Sequence, residues 1–170
     1  MDATHPQHNP VISYGWIQRG KEHPVKSNTG RRRLNINGAI DVQRMSAEIR
    51  FDDTIDAIST IDLFEQIECA NPHAKRITII CDNARYYRSK AVAEYPENSR
   101  IDLLFLPPYS PNLNLIERFW KFFKRQVLYN HYYEAFNDYK NACKWFFREL
   151  DSYVPQLRSL LTENFEIIGN

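Results

Sequence analysis

RITIICDNARYY, residues 76–87, runs four β-branched residues, Ile77, Thr78, Ile79 and Ile80, into Cys81 and then an acid, Asp82. An unbroken apolar run of this kind is the pattern of a strand covered on both faces, as in a parallel sheet. In open α/β sheets, ligands gather beyond the carboxyl ends of the strands. The run therefore puts Asp82 at a ligand-binding edge. IDLLFL, residues 101–106, is a second such strand, stopped by Pro107 and Pro108, and residues 85–94 between the two read as a short helix.

Upstream, residues 54–70 carry Ile58, Ile61, Leu63 or Phe64, and Ile67 at helical spacing, and Asn71-Pro72 ends the segment. Before it, residues 11–18, 33–42 and 46–51 read as strands of a meander, with Gly38 expected to mark a bulge. GKEHPVKSNTGRRR, residues 20–33, reads as an exposed loop. Downstream, Ile116, Phe119, Trp120, Phe123 and Val127 form one apolar stripe, which predicts a helix over 115–128. Two more helices are expected over 133–150 and 152–161, with Trp16, Trp120 and Trp145 used in packing. This order describes a mixed α/β sheet covered by helices. A chain of 170 residues suits one domain with one core.

Charge is balanced overall, 22 basic against 21 acidic residues, but unevenly distributed. Residues 14–35 hold Arg19, Lys21, Lys26, Arg31, Arg32 and Arg33 against Glu22 alone. Residues 48–68 are acidic, and residues 118–148 are basic again. Two basic stretches flanking acids suit a polyanion groove, and equally an ordinary solvated surface. Cys69, Cys81 and Cys143 have neither disulfide-framework nor zinc spacing. No apolar run reaches the roughly 20 residues of a membrane span. The expectation is a soluble cytoplasmic protein that does not enter a membrane.

Three acids stand out, and each has a bland reading beside a chemical one. Asp82 suits a helix N-cap as well as a ligand. Glu117 would complete a capping box begun by Asn114. Asp2, near the start of the chain, would ordinarily be solvated. Together they offer the oxygen-only donor set that hard divalent cations prefer, and two such cations suit in-line displacement at phosphorus.

TIICDNARYYRSK (78–90), followed by LLFLPPYSPNLNLIERFWKFFKR (103–125), resembles the second and third acidic motifs of the DDE transposases of bacterial insertion sequences in the mariner superfamily. Residues 1–42 resemble the segment around the first acid. The 34 residues between Asp82 and Glu117 match the spacing of that group. The resemblance implies a ribonuclease-H-like mixed five-stranded sheet flanked by helices, forming a single catalytic domain over residues 1–165. It implies catalytic and metal-binding roles for Asp2, Asp82 and Glu117, two Mg²⁺ or Mn²⁺ ions, and cleavage and strand transfer of DNA. The partners implied are the element's terminal repeats, target DNA and a second copy of the chain in a homodimer, in a bacterial cytoplasm at the nucleoid.

Within that frame, Asn83 is expected to orient Asp82 or a bound water. Arg31, Arg32, Arg33, Lys121, Lys124 and Arg125 are expected to meet phosphates, and Tyr109 to stack on a base. Two departures stand out. Leu115 occupies a position commonly proline, and only Met1 precedes Asp2. The expectation is a truncated N-terminal strand, no N-terminal helix-turn-helix domain, and weak or absent activity. The alternative is a catalytically impaired module that binds DNA or dimerises.

Overall fold

The computed structural model describes residues 1–11, 19–20, 24, 26–28, 30–108 and 113–162. Strands β1 (Asp2–Thr4), β2 (Asn35–Asp41) and β3 (Ser46–Asp52) precede helix α1 (Ala57–Ala70). Strand β4 (Ile77–Cys81), helix α2 (Lys90–Glu94) and strand β5 (Ile101–Phe105) follow. Helices α3 (Leu115–Val127), α4 (Phe136–Arg148) and α5 (Val154–Leu160) come last. The strand expected over 11–18 lies outside the described residues except for Val11, which bridges to Tyr129.

The strands form an antiparallel sheet in the order β1-β2-β3 and a parallel pair, β4-β5. The two sheets meet where the Met1 nitrogen donates to the Ile80 carbonyl at 2.7 Å. Helix α1 begins at Asp56, whose carboxylate accepts from the Ser59 N–H while the Ser59 hydroxyl accepts from the Asp56 N–H. This reciprocal cap fixes the start three residues later than periodicity alone suggests. Helix α2 is shorter than predicted because residues 85–88 are turns and Ser89 takes the cap.

Two apolar clusters hold these elements. In one, Ile36 of β2 packs with Ile49 and Phe51 of β3 against Ile116, Phe119, Trp120 and Phe123 of α3 and Tyr139 and Phe146 of α4. The predicted α3 stripe is buried throughout. In the other, Leu63, Phe64 and Ile67 of α1 pack on Met1, Ile79, Cys81 and Ile101. Burying each such side chain contributes about 1.5–3 kcal/mol.

Three expectations need correction. Strands β4 and β5 are not covered on both faces. Ile80 and Leu104, partners in register, are 44% and 53% exposed, because the α3–α5 layer packs on β2 and β3 instead. Gly38 marks no bulge, since pairing runs without interruption from Asn35↔Asp52 to Asp41↔Ser46. Glycine is required there for a different reason: a Cβ would lie 2.7 Å from Ile49 Cδ1 and 2.9 Å from Trp120 Cη2. Trp145 does not pack inside, because it sits on the outer face of α4 and is 55% exposed.

Candidate active site

Asp82 follows the last residue of β4, and its carboxylate accepts from the Ala84 N–H at 3.0 Å. This local turn replaces the predicted helix cap, since the next helix starts only at Lys90. Asp2 lies on β1 opposite Gly38 of β2. The Met1 nitrogen meets the Ile80 carbonyl and the Asp82 charge acts on the Asp2 carboxyl, so the start of β1 lies beside the end of β4.

Glu117 is the third residue of α3, and its N–H donates to the Asn114 carbonyl at 3.1 Å. Asn114 makes no side-chain cap bond, so the capping box does not form and the exposed Glu117 carboxylate is not spent on the helix end. Trp120, one turn further along α3, seats the helix on Gly38, the register partner of Asp2. The two acids are thus joined through a close helix-to-strand contact.

Asp2 and Glu117 each feel a neighbouring acid. Burial pushes the Asp2 carboxyl up to about 6; the Asp82 and Glu117 charges push the same way, and a bond from the Ala3 backbone opposes them. Burial and then the Asp82 charge also hold Glu117 above its ordinary value. Like charges held together disfavour ionisation, and a divalent cation would relieve that repulsion. Among the described residues no three acidic, His or Cys side chains stand together in a group that could hold a metal ion. The donor set nonetheless suits Mg²⁺ or Mn²⁺: it is oxygen-only and anionic, and it includes the exposed Glu117.

Asn83 does not turn toward Asp82. Its amide nitrogen donates to the Leu106 carbonyl at 2.8 Å, and its oxygen accepts from Arg88. The Leu106 N–H in turn donates to the Cys81 carbonyl at 2.9 Å. Asn83 therefore ties the end of β4 to the end of β5, at the start of the segment leading to Glu117. Sequence alone gave no reason to single out Arg88, because its partners Asn83 and Phe105 are set only by the fold.

Arg31, Arg32 and Arg33 are exposed just before β2, and Arg32 lies 3.8 Å from the Phe136 ring centre. Arg33 bridges backbone with Gln7, five residues beyond Asp2 and so about 17 Å along the strand direction. Lys121 and Arg125 are exposed on α3, Lys124 is half-buried, and Tyr109 lies outside the described residues. Glu117, Lys121 and Arg125 recur every fourth residue, about 6 Å per step on one helix face. His8 is not offered to a metal. Its ring stacks on Tyr139, and its Nε2 lies 2.8 Å from the Tyr133 carbonyl oxygen. No helix among the described residues is long and apolar enough to cross a membrane.

Known proteins resemble this chain in sequence and in fold. An insertion element IS630 uncharacterized 39 kDa protein of Shigella sonnei is 25% identical over 124 residues, covering 72% of this chain and 36% of that protein. The Mos1 transposase paired-end complex with left transposon end matches with a TM-score of 0.66 at 15% identity, over 97% of this chain and 55% of that one. The Mos1 mariner paired-end complex with Mn matches at 0.63 and 15% identity, over 99% and 55%. The paired-end complex with Mg matches at 0.58 and 17%, over 96% and 55%. The chain thus spans about a third of the curated relative and about half of the solved ones, with which it shares a fold. The sequence model of the DDE superfamily endonucleases matches residues 1–140, and the chain belongs to that family.

Proposed function

We propose that this chain is the catalytic part of a DNA transposase, with Asp2, Asp82 and Glu117 as its metal-binding acids. The observation that carries the reading is electrostatic. Across acids from β1, the end of β4 and the start of α3, far apart in sequence, the Asp82 and Glu117 charges help raise the proton affinity of Asp2, and the Asp82 charge helps raise that of Glu117. The Mos1 assemblies hold a transposon end, Mn or Mg, which supports DNA as the substrate and a divalent cation as the cofactor. On this reading the five strands make one ribonuclease-H-like sheet in the order β3-β2-β1-β4-β5, within a single domain over residues 1–165.

Two Mg²⁺ or Mn²⁺ ions, when bound, supply the positive charge that activates an attacking oxygen and stabilises the leaving one. The protein's part is to hold three carboxylates ionised around them. Asp2 is fixed by strand pairing, Asp82 by its turn onto Ala84, and Glu117 by the seating of α3 on Gly38. Asn83 maintains the spacing of the β4 and β5 ends. Lys121, Lys124 and Arg125 lead phosphates away along α3, Arg31, Arg32 and Arg33 meet them beyond β1, and Tyr109 stacks on a base at the cut. A homodimer would pair the two element ends.

A nicking assay with Mg²⁺ or Mn²⁺ tests the assignment. Cleavage is expected in the wild type and lost in Asp82→Asn and in Glu117→Gln. Equal cutting by those variants would overturn it. The absence of a group that could hold a metal ion among the described residues favours a second reading, a DNA-binding or dimerising module without catalysis. That reading predicts DNA binding indifferent to chelators and no cleavage.

A further inference from the structure

The geometry points to Arg88 as a preorganised binding site for a nucleic-acid backbone phosphate beside Asp82, on the β5 side of the acids. Its guanidinium lies 3.9 Å from the Phe105 ring centre, and one nitrogen donates to the Asn83 oxygen. The Asn83 amide is itself oriented by its bond to the Leu106 carbonyl, so it can present only its oxygen to Arg88. A ring beneath and an acceptor at one corner leave the remaining N–H groups in the guanidinium plane for bidentate contact with the two non-bridging oxygens of a phosphodiester.

Other arginines of the fold are held differently. Arg50 pairs with Asp52 and Asp62, Arg76 with Asp102, and Arg100 with Glu68. Among the described residues no carboxylate pairs with Arg88, although the side chain is exposed and fixed. A cation already ordered on an aromatic ring gives up little rotamer freedom when it binds. Arg32, stacked on Phe136, is held in the same way on the β2 side.

The inference rests on the transposase reading for the identity of the polyanion, and metal-free binding separates the two. The 170-residue chain would be titrated with a short labelled DNA duplex, and with its single strand, across a salt series. Arg88→Gln can still donate to Asn83 and lie on Phe105 but carries no charge. It should keep the wild-type melting temperature, and the slope of log affinity against log salt should fall in magnitude by about 0.9 on the duplex and about 0.7 on the single strand. Arg88→Lys should keep the slope and bind more weakly. A wild-type slope in Arg88→Gln, or the absence of salt-dependent binding by the wild type, would overturn the site. Cleavage surviving in Asp82→Asn and Glu117→Gln would instead overturn the catalytic reading.

Discussion

Gly38 and Trp120 approach so closely that a Cβ on residue 38 would lie 2.9 Å from the indole. Gly38 is also the partner of Asp2, and Trp120 stands one turn beyond Glu117. The thickness of one missing methyl group thus sets how near α3, and the acid at its start, comes to the first strand.

Gly38→Ala therefore tests the spacing of the site. In an ordinary strand, replacing glycine by alanine is stabilising by about 0.5–1 kcal/mol. Here overpacking should reverse the sign and cost about 1–3 kcal/mol in thermal or denaturant unfolding. Cleavage should fall further than the folded fraction does. A variant as stable as wild type would show that α3 can move off the strand freely.

Asn37 lies beside Ala3 on β2, is fully buried, and neither polar atom of its side-chain amide has a hydrogen-bond partner among the described residues. Leaving such a group unpaired costs about 1–3 kcal/mol. Asn37→Val keeps strand propensity and removes the amide, so the midpoint of denaturation should rise. A fall of similar size would reveal a partner for the amide in solution.

The acids make metal binding pH-dependent in a stated direction. Asp2 titrates near 6 in the fold against about 3.8 for an ordinary aspartate, so its charged form is disfavoured by folding. The penalty on the metal-free protein is full above pH 6 and is relieved as the pH falls through 6 toward 4. A divalent cation needs the ionised form and gains affinity over the same interval in the opposite direction. Thermal shifts with Mn²⁺ should accordingly be large at pH 8 and small at pH 5. Asp82→Asn should shrink the shift at pH 8, and a shift equal at both values would count against carboxylate ligation.

Asn83→Asp distinguishes a clamp from a metal ligand. An aspartate accepts from Arg88 but cannot donate to the Leu106 carbonyl, so two oxygens would face one another. Hydrogen exchange at the Leu106 N–H, which closes the same link, should accelerate, with a stability loss of about 1–3 kcal/mol. If Asn83 instead served the metal, the added carboxylate would strengthen Mn²⁺ binding and leave that exchange unchanged.

The α3 stripe, the β4 run into Asp82 and the stop at Pro107-Pro108 were legible in the chain, because each follows from a local period or a residue that ends one. The order of Asp82 and LPPYSPNLNLIE carried the family for the same reason: it is linear information. Local pattern did not show that one face of β4-β5 is left open, that Gly38 serves packing and not a bulge, or that Asn83 faces Leu106 and not its acidic neighbour. Those outcomes depend on which side chains from distant segments fill a given space, and a sequence period carries no such information. The residues of the candidate site are named by linear motifs, whereas the charge that acts on Asp2 and Glu117, and the seating of Arg88 on Asn83 and Phe105, were decided by tertiary packing.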